Sequence, residues 1–244
     1  MGEDRFRSFT VAFLDTDLWI GYNGTEPGLL DAPLKKTALA TIKRLRAEVD
    51  AYRRRDRRFI AALAPYEPRA PVPGIVRAMF DAARRAGVGP MAAVAGAFAQ
   101  EVARNLEKRF ALHELVVENG GDNYLRISRP AVISIFAGDS PLSQKIGLEI
   151  KPDQTPLGIC TSSGTVGPSL SFGKADAMTI ISPNPAWADA YATYFGNRVR
   201  RASDIEPVLA ETAQKKDILG ALIVIGKRMG IRGKFPLRIL EKPE

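Results

Sequence analysis

The chain has 244 residues, 45% hydrophobic and 25% charged, enough apolar material for a sizeable core and too much for a disordered chain. Its one cysteine, Cys160, and one histidine, His113, exclude an internal disulfide, a multi-thiolate metal centre and an ordinary zinc site. A formal net charge of +8 permits phosphates, anionic cofactors or nucleic acid as ligands without pointing to any of them.

The opening runs SFTVAFL and DLWIGYN carry the β-branched and aromatic content of strands and flank Asp15 and Thr16, which predicts a hairpin. No basic region followed by an apolar run begins the chain, and Phe6 stands where a myristoylation signal needs Ser or Thr. No stretch approaches the roughly 18 apolar residues of a membrane span, so a cytoplasmic protein without membrane contact is expected. Gly24 to Pro33 reads as loop. A helix then runs from about Thr37 until Pro65 stops it, because proline cannot continue the backbone ladder. Within it Leu39, Ile42, Leu45, Val49 and Tyr52 recur at helical spacing, which leaves the lysines and arginines from Lys35 to Arg58 on the outer face. No aromatic interleaving or RNA-binding motif accompanies them, so a solvated face is preferred to a nucleic-acid surface.

YEPRAPVPG is an internal connector, and a second helix from about Gly74 to Arg85 puts Ile75, Val76, Met79, Phe80 and Ala83 on one face before GVGP ends it. The third helix, MAAVAGAFAQEVARNLEKRF, is so rich in Ala and Gly that another group must approach it closely; packing against the sheet and a cofactor surface both satisfy that. His113 falls at the junction that follows and reads as a surface or interface imidazole. From Glu114 the texture becomes strands and turns: ELVVEN, YLRIS, AVISIFA, IGLEI, GICTSS and AMTIIS, an antiparallel or mixed sheet. A helix from about Pro185 to Val199 and a last strand, ALIVIG, follow. Helices in one block and strands in another predict an α+β fold, one domain over residues 1–244 or two intimate lobes.

Three clusters combine turn glycines with polar groups. Glu118-Asn119-Gly120-Gly121-Asp122-Asn123 follows a strand; it can present backbone amides to an anion, or be a plain hairpin. Thr161 to Thr165 with Ser163 and Gly164, followed by Val166 to Ser169 and by Ser171 to Lys174, can cradle a pyrophosphate with hydroxyls, amides and a lysine, or be an ordinary Ser/Gly loop. Asp189 and Thr193 are four apart and share a helix face, offering two oxygen ligands to a hard cation such as magnesium. Equally, Asp189 can serve a helix start and Thr193 can bond back to its own helix.

In chain order, GVGPMAAVAGAFA, VVENGGDNYL, CTSSGTVGPSLSFGKADA and ADAYATYFGNRV resemble the uncharacterised ApbE-like protein family, related to the flavin transferases that attach FMN to a protein threonine. The resemblance covers about Thr16 to Lys234. It implies an ApbE-like fold, helices packed on mixed or antiparallel sheets, with FAD or FMN or a related diphosphate as ligand and magnesium as cofactor. By the same similarity Asp189 and Thr193 hold the metal with a backbone carbonyl near Ala92 or Ala93. Asn119, Gly120, Gly121, Asp122, Ser163, Gly164 and Lys174 are then ligand-binding positions. The transferases carry a lysine before the glycine of the small-residue helix, where Ala95 precedes Gly96, and an acidic residue where Gln100 stands. They also carry a His and an Asp-Pro where this chain reads SFGKADA, so a base for a threonine nucleophile must come from Asp176 or Glu118. The partners implied are a protein acceptor or a protein of sulfur and homocysteine metabolism, to which a non-catalytic accessory protein would belong; a homodimer is compatible with either.

Overall fold

Alternation along the strands sets the architecture. In a computed structural model describing residues 5–24, 31–166 and 171–240, β1 (Arg7–Phe13), β2 (Thr16–Gly24), β3 (Leu112–Asn119) and β4 (Asp122–Arg126) pair in sequence order. Beyond β4 the sheet continues through β7 (Leu157–Ser162), β8 (Ala177–Ser182), β9 (Gly220–Ile225) and β10 (Arg228–Gly233). The intervening β5 (Ala131–Ser134) and β6 (Ile146–Ile150) join β11 (Leu237–Ile239) in a three-stranded sheet. Every ladder among the described residues is antiparallel.

The inner strands of the larger sheet send alternate side chains into two different cores. Ile20, Leu115, Val117, Met178, Ile180, Ala221 and Ile223 point into one, and Val116, Leu125, Ile159, Ala177, Ile181, Leu222 and Val224 into the other. The first is closed by helices α1 (Asp31–Arg55), α3 (Gly74–Ala86), α4 (Val94–Glu107), α5 (Pro185–Gly196) and α6 (Ile205–Thr212), the second by the three-stranded sheet. Short α2 (Arg58–Ala61) hangs from the end of α1.

Several elements differ from expectation. Helix α1 starts at Asp31, not Thr37, because Pro33 falls in the first turn, where an N–H is not needed by the ladder. Asp31 to Pro33, expected in a loop, are therefore helical, and residues 25–30 lie outside those described. The helix also ends at Arg55, well before Pro65: the buried Asp56 carboxylate gathers the Arg58 amide at 3.2 Å and the Tyr66 hydroxyl at 3.1 Å and turns the chain. AVISIFA is strand only as far as Ser134, with Ile135 still donating to the Ile146 carbonyl at 3.0 Å. ALIVIG is not the last strand, since β10 and β11 follow it, and α6 is a helix that the sequence pattern did not predict.

The basic face of α1 is knit into local ion pairs, Arg44 with Glu48 at 2.6 Å, Arg46 with Asp15 at 2.9 Å and Arg53 with Asp50 at 3.2 Å. No helix among the described residues is long and apolar enough to cross a membrane.

One buried charge ties β3 to the chain's beginning. The Glu114 side chain, fully enclosed, accepts from Arg5 at 2.6 Å and from the Ser128 amide at 2.9 Å. Burial alone would raise its pKa, but Arg5 and Ser128 outweigh it and hold the carboxyl at about 2. A depressed carboxyl stabilises the fold above its ordinary value near 4.5 and loses that contribution as pH falls toward 2. Glu114→Gln is expected to cost about 1–3 kcal/mol in urea unfolding at neutral pH, with the gap to wild type closing as the solution is acidified through that range. A gap that does not change with pH would sink the assignment.

Candidate functional site

The β3–β4 hairpin closes with a two-residue loop, Gly120 and Gly121, at φ +61° and +99°. Both values lie in the region that side chains avoid, and two successive positive φ angles match the twist of the flanking strands. No atom stands within 4 Å of where a Cβ would project from Gly120, so the turn leaves open space beside it. On one side of the turn Asn119 donates from Nδ2 to the Ala95 carbonyl at 3.1 Å; on the other Asp122 is buried.

Helix α5 supplies the facing group. Asn184 caps it, accepting from the Trp187 amide at 3.2 Å, and Pro185 occupies the first turn. Asp189 and Thr193 therefore stand one above the other on the inward side. The Asp189 carboxylate does not serve its own helix: Oδ2 accepts from the Gly96 amide at 2.8 Å, at the start of α4. That contact requires glycine, since a Cβ at position 96 would lie 2.4 Å from the Pro185 carbonyl oxygen and 2.9 Å from Asp189 Cβ. The small residues of α4 thus let α5 approach closely, and the helix also packs on β3 and β4, as expected of packing against the sheet. Gln100, buried one turn on, carries no charge to this junction and bridges Asn184 and the Arg104 guanidinium.

Asp122 and Asp189 meet in this gap. Burial and the neighbouring Asp189 charge push the Asp122 carboxyl well above the carboxylate range, with the Cys160 thiol and Thr161 amide opposing. Burial pushes Asp189 up to about 7 against the pull of the Gly96 and Ala95 amides. Asp122 Oδ1 has no hydrogen-bond partner at all. Cys160, fully buried between them, donates to the Pro185 carbonyl at 3.3 Å, and burial with the two carboxylates holds it as a thiol. A thiol so placed is not a nucleophile.

The gap opens into a cleft of about 460 Å³ lined by Glu118, Gly120, Gly121, Asp122, Asn123, Thr161, Ser163, Asp189 and Thr193. The far wall comes from the three-stranded sheet and its turn, with Ile133, Ile135, Phe136 and Gln144, and Trp19 closes one end. The three clusters picked out in the sequence therefore converge on one cavity, of the size that small-molecule sites have.

The family model described as AbpE bacteria matches residues 1–232. The chain belongs to this ApbE-like family. A UPF0280 protein of Methanocella arvoryzae is 42% identical over 208 residues, 85% of this chain and 84% of that protein. One of Methanoculleus marisnigri is 46% identical over 191 residues, 78% and 76% of the two chains. Among solved structures, the apo form of the Pseudomonas stutzeri flavinyl transferase ApbE superposes with a TM-score of 0.61 at 15% identity, covering 93% of this chain and 94% of its own. The Vibrio cholerae flavin transferase ApbE, as its H257G mutant, gives 0.59 at 16%, covering 93% and 97%. The α+β fold is thus the ApbE fold, as the motifs implied.

Not every position that the ApbE likeness brings forward reaches the cleft. Gly164 donates its amide to the Ala175 carbonyl at 2.8 Å and is exposed. Lys174 is exposed, its amide bonded to the Val199 carbonyl at 2.7 Å, and does not line the cavity. Asp176 spends both oxygens on structure, accepting from the Thr165 hydroxyl at 2.9 Å and the Gly226 amide at 2.6 Å, and so fastens the serine loop to the β9–β10 turn. Ala92 lies in the 3₁₀ turn Pro90–Ala93 before α4, outside the lining. Residues 167–170 of the serine loop lie outside those described. Trp19 and the wall from β5 were absent from the sequence reading: a tryptophan in a strand and an apolar run carry no local sign of facing a cavity.

Proposed function

We propose that the cleft binds a flavin nucleotide, FAD or FMN, or a related diphosphate, as its magnesium complex. The observation that carries this is charge. In a chain of net charge +8, the cleft's charged lining among the described residues is Glu118, Asp122 and Asp189, with no lysine or arginine. A bare diphosphate would meet only carboxylates there, whereas a divalent cation between the two turns attraction and repulsion around. The residues fit such an ion. Asp122 Oδ1 is buried without a partner, Asp189 stands beside it, and Thr193 adds a hydroxyl one helical turn on. All three are hard oxygen donors of the kind magnesium prefers, and the ion would neutralise charge on the diphosphate.

The chain's own groups do the rest. The α4 amides fix Asp189, the bare Gly120-Gly121 backbone lets a ligand come close, and Ser163 adds a hydroxyl to the lining. Of the two carboxylates considered as bases, Glu118 faces the cleft and Asp176 is engaged elsewhere. Burial raises the Glu118 carboxyl, and its place on the cleft lining would let it take a proton from an acceptor hydroxyl. A flavin is favoured over other diphosphates because solved structures sharing this fold include flavin transferases, and a protein acceptor is proposed from the same likeness.

Isothermal titration of the purified protein with FAD should give binding in magnesium chloride and none in EDTA. Equal binding in EDTA would remove the metal from the reading, and no heat in either buffer would remove the flavin.

A further inference from the structure

The end of the cleft away from Asp122 and Asp189 has its own construction. Trp19 and Gly21 are two apart on β2 and so share a sheet face. A Cβ at Gly21 would lie 2.4 Å from Trp19 Cη2 and 2.9 Å from Cζ3, closer than carbon atoms approach, so the six-membered edge of the indole rests on bare backbone. Trp19 is nevertheless only half-buried, and it lines the cleft. Across the ladders Trp19 stands opposite Glu118, Glu118 opposite Asn123, and Asn123 opposite Ile159, and all four line the cavity.

That row gives the cleft a direction. Asp122 sits on β4, two strand spacings or about 10 Å from β2. The intervening floor holds no charge but Glu118. Beside Trp19 the lining includes Val116, opposite Gly21 on β3, and the second sheet and its turn add an apolar wall to the same cavity with Ile133, Ile135 and a 55% exposed Phe136. Val116 and Ile135 are themselves buried, so the apolar surface left open is that of Phe136 and the half-buried Trp19 and Ile133, which a flat ring can cover on binding.

We infer that Trp19, seated on Gly21, is the platform on which the planar ring of the ligand stacks while its diphosphate lies at the end that holds Asp122 and Asp189. The inference rests on the proposed function and goes beyond it by naming the ring's subsite. The separation of the two ends selects ligands whose ring and diphosphate are joined by an extended linker, such as the open ribityl chain of a flavin. The compact ribose of a purine nucleotide spans it less well. Trp19 is thus a specificity-determining residue rather than a catalytic one.

The test compares wild type, Trp19→Leu and Trp19→Phe by calorimetry with FAD and with inorganic pyrophosphate, each in magnesium chloride. Base–aromatic stacking predicts that Trp19→Leu weakens FAD by about 10-fold or more, that Trp19→Phe recovers most of it, and that pyrophosphate is unaffected. A long-wavelength charge-transfer band in the bound flavin spectrum, lost in Trp19→Leu, would report the stack directly. Trp187 does not confuse that signal, since its Nε1 is held by Asp81 at 3.0 Å and its ring lies under Arg85. Should Trp19→Leu fail to fold, Gly21→Ala displaces the indole without deleting it and should weaken FAD in the same sense. Unchanged FAD affinity in the variants would overturn the platform and leave the proposed function standing. Parallel loss of FAD and pyrophosphate would make Trp19 a structural residue and overturn it too. A wild type that binds pyrophosphate but no flavin would overturn both.

Discussion

Asp189→Ala is expected to abolish magnesium-dependent binding of FAD, lowering affinity on the order of 100-fold or more, since even groups one shell removed from a metal cost 10–100-fold when deleted. The variant also removes the acceptor for the Gly96 amide at the start of α4, an unsatisfied donor worth about 1–3 kcal/mol. Against that loss stands a gain, because a buried charge disappears from beside Asp122. Asp189→Asn separates the two effects: its amide oxygen can still accept from Gly96, while the charge needed by the cation is gone. The expected pattern is a near-native unfolding midpoint in Asp189→Asn with no magnesium-dependent thermal shift by FAD. Retention of that shift would exclude Asp189 from the metal site.

The second large effect is on the pH dependence of stability without metal. The carboxyl pair of Asp122 and Asp189 holds a proton in the folded protein under conditions where the unfolded chain has released it. A carboxyl raised in this way contributes stability that is complete below its ordinary value near 3.8 and is lost as pH climbs to the folded value of about 7. In EDTA, the free energy of unfolding should therefore drop by a few kcal/mol between mildly acidic and neutral solution, a slope opposite to that of Glu114. Saturating magnesium should flatten or reverse the drop, because the cation takes the proton's place. Asp122→Asn should do the same without metal, raising stability at neutral pH while weakening magnesium binding. A wild type whose stability in EDTA rises steadily from pH 4 to 7 would contradict the buried pair.

How far the site could be read from the sequence depended on the range of the physics involved. The Gly120-Gly121 turn was legible because its chemistry is complete within four residues, and the Asp189–Thr193 face because helical spacing is local. That Asp189 serves the start of α4 was not, since its partner Gly96 is brought to it by folding, nor that Asp122 turns toward the helices to meet it. Lys174 and Asp176 show the converse. Both are types that suit a phosphate site or a base, and both sit close in sequence to the serine loop. The strand register nevertheless directs Asp176 to Thr165 and Gly226 and leaves Lys174 in solvent. The α+β class came through from the grouping of helices and strands. The start of α1 did not, because proline reads as a breaker unless its place within the first turn is known.

The solitary thiol also bears on how this molecule can be watched. Cys160 lies beneath α5, 0% exposed and hydrogen-bonded to the backbone where that helix begins. No reagent reaches the sulfur while α5 is seated on β7. Alkylation therefore measures how often helix and sheet part company, a built-in clock for the same seam that brings the two carboxylates together.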